Sequence, residues 1–193
     1  MNNFEAVWEQ DLGRHLRWST NVFRNNTRDL ISEIADPESG MLLYVNADRS
    51  RSAGIGAELG GHATNGFSGS AAYSFTDTVD PKSGRVLANS PRHLGKARIT
   101  VPLIQASLFG GFDMQYEGFR TSLAGVRVPS FAVANATLSG HALRKRLEIS
   151  GSIYNLTNKA FFDVGPPEDI QDTLRQDGRR FRLKLVWHFT GDR

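Results

Sequence analysis

The chain has 193 residues, is 39% hydrophobic, and carries 19 glycines and a formal net charge of +3, enough for one domain. Its basic residues are scattered, not striped, which excludes an obvious nucleic-acid surface, and with no cysteine it has neither a disulfide framework nor a thiolate metal site. No apolar run approaches about 18 residues, which excludes a transmembrane helix, and the opening MNNFEAVWEQDLGRH reads as no signal peptide, lacking a basic start and an apolar core.

Taken in chain order, Phe4, Ala6 and Trp8 alternate with Glu5, Val7 and Glu9. After the tight turn Leu12-Gly13-Arg14-His15, Leu16, Trp18, Thr20 and Val22 alternate with Arg17, Ser19 and Asn21. The two runs predict a hairpin. Arg24 to Leu42, with NNTRD and DPESG, predicts a long polar connection. A strand resumes near Leu43 and runs to Gly61, with Ile55, Ala57 and Leu59 opposing Gly56, Glu58 and Gly60. His62 to Gly66 is a short turn in which Asn65-Gly66 supplies positive φ.

Phe67, Gly69, Ala71, Tyr73 and Phe75 then face one way, and Ser68, Ser70, Ala72, Ser74 and Thr76 the other. Asp77 to His93 is a second long connection. Ala97, Ile99, Val101 and Leu103 alternate with Lys96, Arg98, Thr100 and Pro102. A turn near Ile104-Gln105 leads into Leu108, Gly110, Phe112, Met114 and Tyr116, opposed by Phe109, Gly111, Asp113, Gln115 and Glu117. Gly118 to Pro129 is the third long connection. Phe131 to His141 is a weaker strand with no clear faces, and Leu143 to Arg146 a short basic turn. Leu147, Ile149, Gly151 and Ile153 oppose Glu148, Ser150 and Ser152. Asn155 to Gly178 is the fourth long connection, with a possible helical turn at Asp169 to Arg175. In the closing run, Arg179 to Phe189, the residues Phe181, Leu183, Leu185, Trp187 and Phe189 share one face. Arg180, Arg182, Lys184 and His188 share the other, with Val186 the apolar exception.

Nine strands and no convincing helix result, and the connections alternate short and long throughout. A soluble sandwich has no reason for that alternation. A membrane barrel does, because its turns on one side are brief and its loops on the other extended. The fold class expected is therefore all-β: an antiparallel up-and-down transmembrane β-barrel segment of about nine strands, apolar toward lipid and wet inside. Glu5, Glu9, Glu58, Asp113 and Glu117, with Arg17, Arg98, Arg182 and Lys184, fall on the wet side.

No arrangement of residues suggests catalysis, a cofactor or a metal. The five histidines show no i, i+4 pair. Gly54, Gly56 and Gly60 lack the spacing of a dinucleotide loop and read as glycines in a bent, crowded strand. Asn25, Asn135 and Asn155 head N-x-T triplets without further meaning. Tyr44, Arg49, Arg92 and His93 stand in or beside the long connections and are the candidates for touching a ligand.

ANSPRHLGKARITVPL (Ala88 to Leu103), YVNADRSRSAGIGAELGGHA from Tyr44, SIYNLTNKAFF and QDGRRFRLKLVWHF, in that family's order and spacing, resemble TonB-dependent outer-membrane receptors. The resemblance covers nearly the whole chain. It implies TonB-driven uptake of a ferric siderophore or a similar large nutrient through a barrel of roughly 22 strands closed by a plug domain. Residues 1–193 then form the C-terminal part of such a barrel, with the plug and the N-terminal strands outside it, so the chain is not transport-competent alone. The implied partners are outer-membrane lipid and lipopolysaccharide, the missing barrel and plug region or another chain completing the barrel, TonB through the plug, and the barrel-assembly machinery. The implied location is the outer membrane of a Gram-negative bacterium. Phe181, Leu183, Leu185, Trp187 and Phe189 look like the C-terminal assembly strand of outer-membrane proteins, here followed by Thr190 to Arg193. The alternatives are a small outer-membrane barrel enzyme and a soluble β-rich binding module.

Overall fold

The computed structural model describes residues 1–35, 42–104, 107–142, 146–166 and 169–189, with side chains outside 29–48. The strands are β1 (Asn2–Leu12), β2 (Leu16–Ala35), β3 (Leu42–His62), β4 (Ser68–Val79), β5 (His93–Ile104), β6 (Leu108–Glu117), β7 (Arg120–Thr121), β8 (Arg127–Val128), β9 (Phe131–Ala142), β10 (Leu147–Tyr154), β11 (Phe162–Val164), β12 (Thr173–Arg175) and β13 (Arg180–Trp187). Nine of them form one sheet in the order β1-β2-β3-β4-β5-β6-β9-β10-β13, every pairing antiparallel. The sheet does not close, since β1 and β13 each have one neighbour. The pairs β7–β8 and β11–β12 are small hairpins within connections. The described residues contain no helix.

Cross-strand partners share a face of a sheet, so the register tests the alternation read from sequence. Val22 pairs with Ile55 and Ile55 with Phe75. Farther along, Ile99 pairs with Phe112, Phe112 with Ala136, Ala136 with Ile153 and Ile153 with Phe181. One apolar face thus runs through all nine strands. The opposite face joins Glu9 to Ser19 and Ser19 to Glu58, Arg98 to Asp113, and Ser152 to Arg182. All nine charged residues assigned to the wet side lie there.

The apolar face has no second layer over it: Trp8 is 62% exposed, Phe181 74% and Leu183 71%. Among the described residues the buried hydrophobic side chains are Val128, Phe131 and Val164, and none belongs to that face. A two-sheet sandwich would bury those rows between its layers.

Two expectations need correction. Arg24 to Leu42 is not a long irregular connection: β2 continues to Ala35 and β3 starts at Leu42, paired as far as Ala35↔Leu42 with register shifts on both sides of Leu30. β1 pairs only as far as Asn26, and β4 only as far as Arg51. Thr27–Ala35 and Leu42–Ser50 therefore form a two-stranded arm of roughly 30 Å that extends past the β3–β4 ladder. Its polar NNTRD and DPESG runs read as loop, whereas ladder hydrogen bonds form between paired backbones whatever the side chains. The proposed helical turn at Asp169 to Arg175 is also wrong. Thr173–Arg175 pairs with Phe162–Val164, a partner distant in sequence that overrides local helical preference.

The faces of β9 are settled by register. Ala132, Ala134, Ala136 and Leu138 align with the apolar row, and Asn135 and Thr137 with the wet one. Small alanines on the lipid-ready side explain the weak pattern. The turn at Ile104-Gln105 and most of Leu143 to Arg146 lie outside the described residues.

Crowding explains Gly54 and Gly56, where a Cβ on the latter would meet the Asn21 side chain, but not Gly60, whose Cβ would meet only Ser70 at 3.9 Å. A Cβ on Gly54 would meet the Phe75 carbonyl oxygen at 2.6 Å and the Phe23 ring at 2.8 Å. Gly54→Val is expected to destabilise the wall by about 1–3 kcal/mol, read as a lower urea midpoint for protein folded into lipid vesicles. Leu183→Lys is expected to cost roughly 2–4 kcal/mol in the same assay, because it sets a charge against hydrocarbon. Lys184→Leu, one residue on and facing water, is expected to change the midpoint little.

Candidate functional site

Antiparallel hairpins send every long connection to one end of the sheet, the end that also carries the arm. There the connections are built around Arg120. Glu117 closes β6 and Arg120 opens β7, three residues on. The Arg120 side chain is 8% exposed. Its Nη1 lies 2.8 Å from the Glu117 carboxylate and donates to Asn89 Oδ1 at 3.1 Å. Its Nη2 donates to Asp163 Oδ1 at 2.7 Å and to the Phe162 carbonyl at 3.2 Å. The guanidinium also lies 5.9 Å from the centre of the Phe131 ring. A planar fork with donors on both ends can serve several acceptors at once, which a lysine cannot.

Three connections meet at this side chain. Asn89 belongs to β4–β5, Arg120 to β6–β9, and Phe162 and Asp163 to β10–β13. Asn89 adopts φ 52°, a left-handed geometry that asparagine tolerates, and its N–H donates to the Thr121 carbonyl at 2.9 Å. The Ala124 N–H donates to Asp172 Oδ1 at 3.0 Å. Buried Val128, Phe131, Val164 and Ser122 lie in the β6–β9 and β10–β13 segments, and the Phe131 and Phe161 rings stand 4.5 Å apart. The small core of the described chain therefore lies among its connections.

Asn155 makes a second knot where β10 ends. It is 3% exposed and has φ 51°. Its N–H donates to Asn135 Oδ1 at 2.9 Å, and its Oδ1 accepts from the Lys159 N–H at 2.9 Å. Its Nδ2 donates to the carbonyls of Lys159 at 2.9 Å and Asp177 at 3.3 Å. Asn158, at φ 53°, accepts from the Arg179 N–H at 2.8 Å. The exit from β10 is thereby tied to the entry into β13. In the β4–β5 connection, Asp80 accepts from the Ser83 hydroxyl and from the Lys82 and Ser83 N–H groups, and these donors, the hydroxyl first, hold its carboxyl below the usual range.

The four ligand candidates are not gathered into one site. His93 opens β5 and pairs with Phe75, which sets it on the apolar outer face. Its Nδ1 is 2.6 Å from the Tyr73 hydroxyl and its ring 5.2 Å from Phe75. It belongs with the aromatic edge of the apolar band. Arg92 is held by Asp77, with Nη2 at 2.6 Å and Nε at 2.7 Å from Oδ1. Arg49 is exposed at the base of the arm beside the register shift. Tyr44 pairs with Glu33 on the arm, and its side chain lies outside the described residues.

Phe181, Leu183, Leu185, Trp187 and Phe189 are all exposed, and β13 pairs with β10 alone. Arg120 was not singled out from sequence. Asn155 was read as a triplet head and a strand exit, and its left-handed, fully bonded geometry needs the fold. The only advance signal for Arg120 was an acidic residue three positions earlier at a strand end.

An open antiparallel wall, with an uncovered apolar face, a wet face and a knitted rim at one end, is a segment of a transmembrane β-barrel. The sequence matches the family described as TonB dependent receptor-like, beta-barrel, over residues 1–156. The chain belongs to that family, whose members are receptors and transporters of Gram-negative outer membranes.

Its fold is similar to that of the ferric-catecholate import receptor Fiu from E. coli K12 (17% identity, TM-score 0.74), covering 97% of this chain and 27% of that one. It is similar to the ferric yersiniabactin uptake receptor FyuA from Yersinia pestis (15%, TM-score 0.76), covering 95% and 28%, and to the copper transporter OprC (13%, TM-score 0.75), covering 95% and 30%. At these identities the likeness is one of fold, and the chain spans less than a third of each receptor. No curated protein matches it by sequence.

Asn155→Ala would remove both side-chain bonding partners of Lys159 and leave a left-handed residue without its asparagine. The expected loss is about 2–3 kcal/mol, measured as a lower unfolding midpoint, with the outer-face rows still protected from a lipid-excluded label.

Proposed function

We propose that the chain builds part of the barrel wall and of the extracellular rim of an outer-membrane receptor that takes up a ferric siderophore or a similar large nutrient. TonB drives that uptake through a plug domain supplied by the rest of the receptor. Residues 1–193 are its C-terminal barrel portion, with β1 and β13 paired by the barrel's remaining strands. By itself the chain forms no transport path. The observation that carries this reading is the uncovered apolar face running through nine strands, backed by a polar one. Only a sheet surrounded by hydrocarbon and lined by water is stable in that form. A soluble module would leave this face in water.

The long connections then face outward from the cell and the short turns face the periplasm. The apolar band contacts lipid, and at its outer edge lipopolysaccharide. Tyr44 and Arg49, on the projecting arm, are the better placed ligand contacts, because Arg92 is engaged by Asp77 and His93 faces outward. Phe181, Leu183, Leu185, Trp187 and Phe189 are the strand read by the barrel-assembly machinery. The named neighbours import ferric complexes and copper, so iron complexes lead and copper is the competing cargo.

The test is uptake by the whole receptor in a strain lacking its own iron receptors, with radiolabelled ferric catecholate, ferric yersiniabactin and copper supplied in turn. Uptake of one ferric complex, abolished by deletion of TonB, is expected. Uptake indifferent to TonB, or restricted to copper, would overturn the corresponding part of the reading. Arg49→Ala is expected to weaken binding of the transported complex by about tenfold, or 1.4 kcal/mol. Arg92→Ala with His93→Ala is expected to leave it unchanged in equilibrium binding.

A further inference from the structure

Apart from the wall, the described chain holds two dense polar networks, at Asn155 and at Arg120, and the one at Arg120 joins separate connections. Arg120, almost fully buried in the β6–β9 connection, engages Asn89 of β4–β5, Phe162 and Asp163 of β10–β13, and Glu117 at the end of β6. Backbone bonds run in parallel with it, from Asn89 N–H to Thr121 and from Ala124 N–H to Asp172. Beyond Arg51, β3 leaves β4 and pairs on with β2 in the arm.

We infer that Arg120 is the positioning residue of the extracellular mouth. It fastens the β4–β5, β6–β9 and β10–β13 connections into one rigid rim, so that rearrangement around a ligand is left to the β2–β3 arm. Loss of the guanidinium strands the nearly buried Glu117 carboxylate and releases Asn89, Phe162 and the half-exposed Asp163, so it acts on all three connections at once. This inference rests on the receptor reading for which side is the mouth. A failure of that reading would show earlier, as absence of the whole receptor from the outer membrane.

Hydrogen exchange on the whole receptor in lipid nanodiscs tests it without a ligand. Asn89 reports the β4–β5 connection, Ala124 the β6–β9 connection and Gly165, whose N–H donates to the Asp172 carbonyl at 2.9 Å, the β10–β13 connection. In the native protein all three amides are expected to exchange slowly and the arm faster. Arg120→Ala is expected to speed exchange at all three by about tenfold or more, with the arm unchanged. Arg120→Lys keeps one charge for Glu117 and Asp163 but loses the fork, so it is expected to restore protection at Gly165 and not at Asn89. Should Arg120→Ala fail to insert, Asp163→Asn is expected to loosen Gly165 and spare Asn89. An effect of Arg120→Ala confined to Ala124, restoration of both outer amides by lysine, loosening of Asn89 by Asp163→Asn, or an arm as protected as the rim would each overturn the inference.

Discussion

The constraint beneath this structure is that hydrocarbon offers no hydrogen-bond partner to a peptide group. A chain crossing it must pair every N–H and C=O internally, and a sheet can do so only strand against strand, with no bare edge. From that follow the successive ladders from β1 through β6, β9 and β10 to β13, the hairpin order, and the need for β1 and β13 to find partners. Side chains then sort by solvent. One face has to be apolar because lipid lies against it, the other polar because water does.

This sorting inverts the usual plan of a domain. The large apolar side chains are exposed, from Phe4 and Trp8 at one edge to Leu183 and Phe189 at the other. The buried ones, Val128, Phe131 and Val164, lie in or beside the connections. The wall gains its stability from backbone pairing and from lipid. The rim stands in water and must hold itself together as a small folded unit, with its own apolar contacts and its own satisfied polar groups. Asn155 supplies the latter, and so do both terminal nitrogens of Arg120, though its Nε is buried without a partner among the described residues. Asn89, Asn155 and Asn158 accept left-handed backbone where those connections turn sharply, and asparagine bears that geometry better than most residues because its amide bonds locally.

The arm shows the same principle from the other side. Beyond the wall the ladder between β2 and β3 continues, and the register slips around Leu30. Register is strongly specified where one face must stay against hydrocarbon, so a slip outside it costs little.

Much of the wall was legible in the residues alone. Alternation has a period of two, and every charged residue assigned to the wet side sits there, because a one-residue error would have put Arg98 or Lys184 into hydrocarbon. Glycine crowding at Gly54 was legible for the same reason: the strand was already known. The rim and the arm were not legible. His93 looked like a mouth residue until its pairing with Phe75 turned it outward. Thr173 to Arg175 looked helical until β11 claimed it. Arg120 looked like one more loop arginine until Asn89, Glu117 and Asp163 closed on it. Contacts along a strand and between hairpin neighbours leave a periodic trace in sequence, whereas contacts between connections 30 or 40 positions apart leave none. The sequence by itself therefore determined the alternating membrane wall and its family. Which loops are bound together was decided only when the strands brought them to one end.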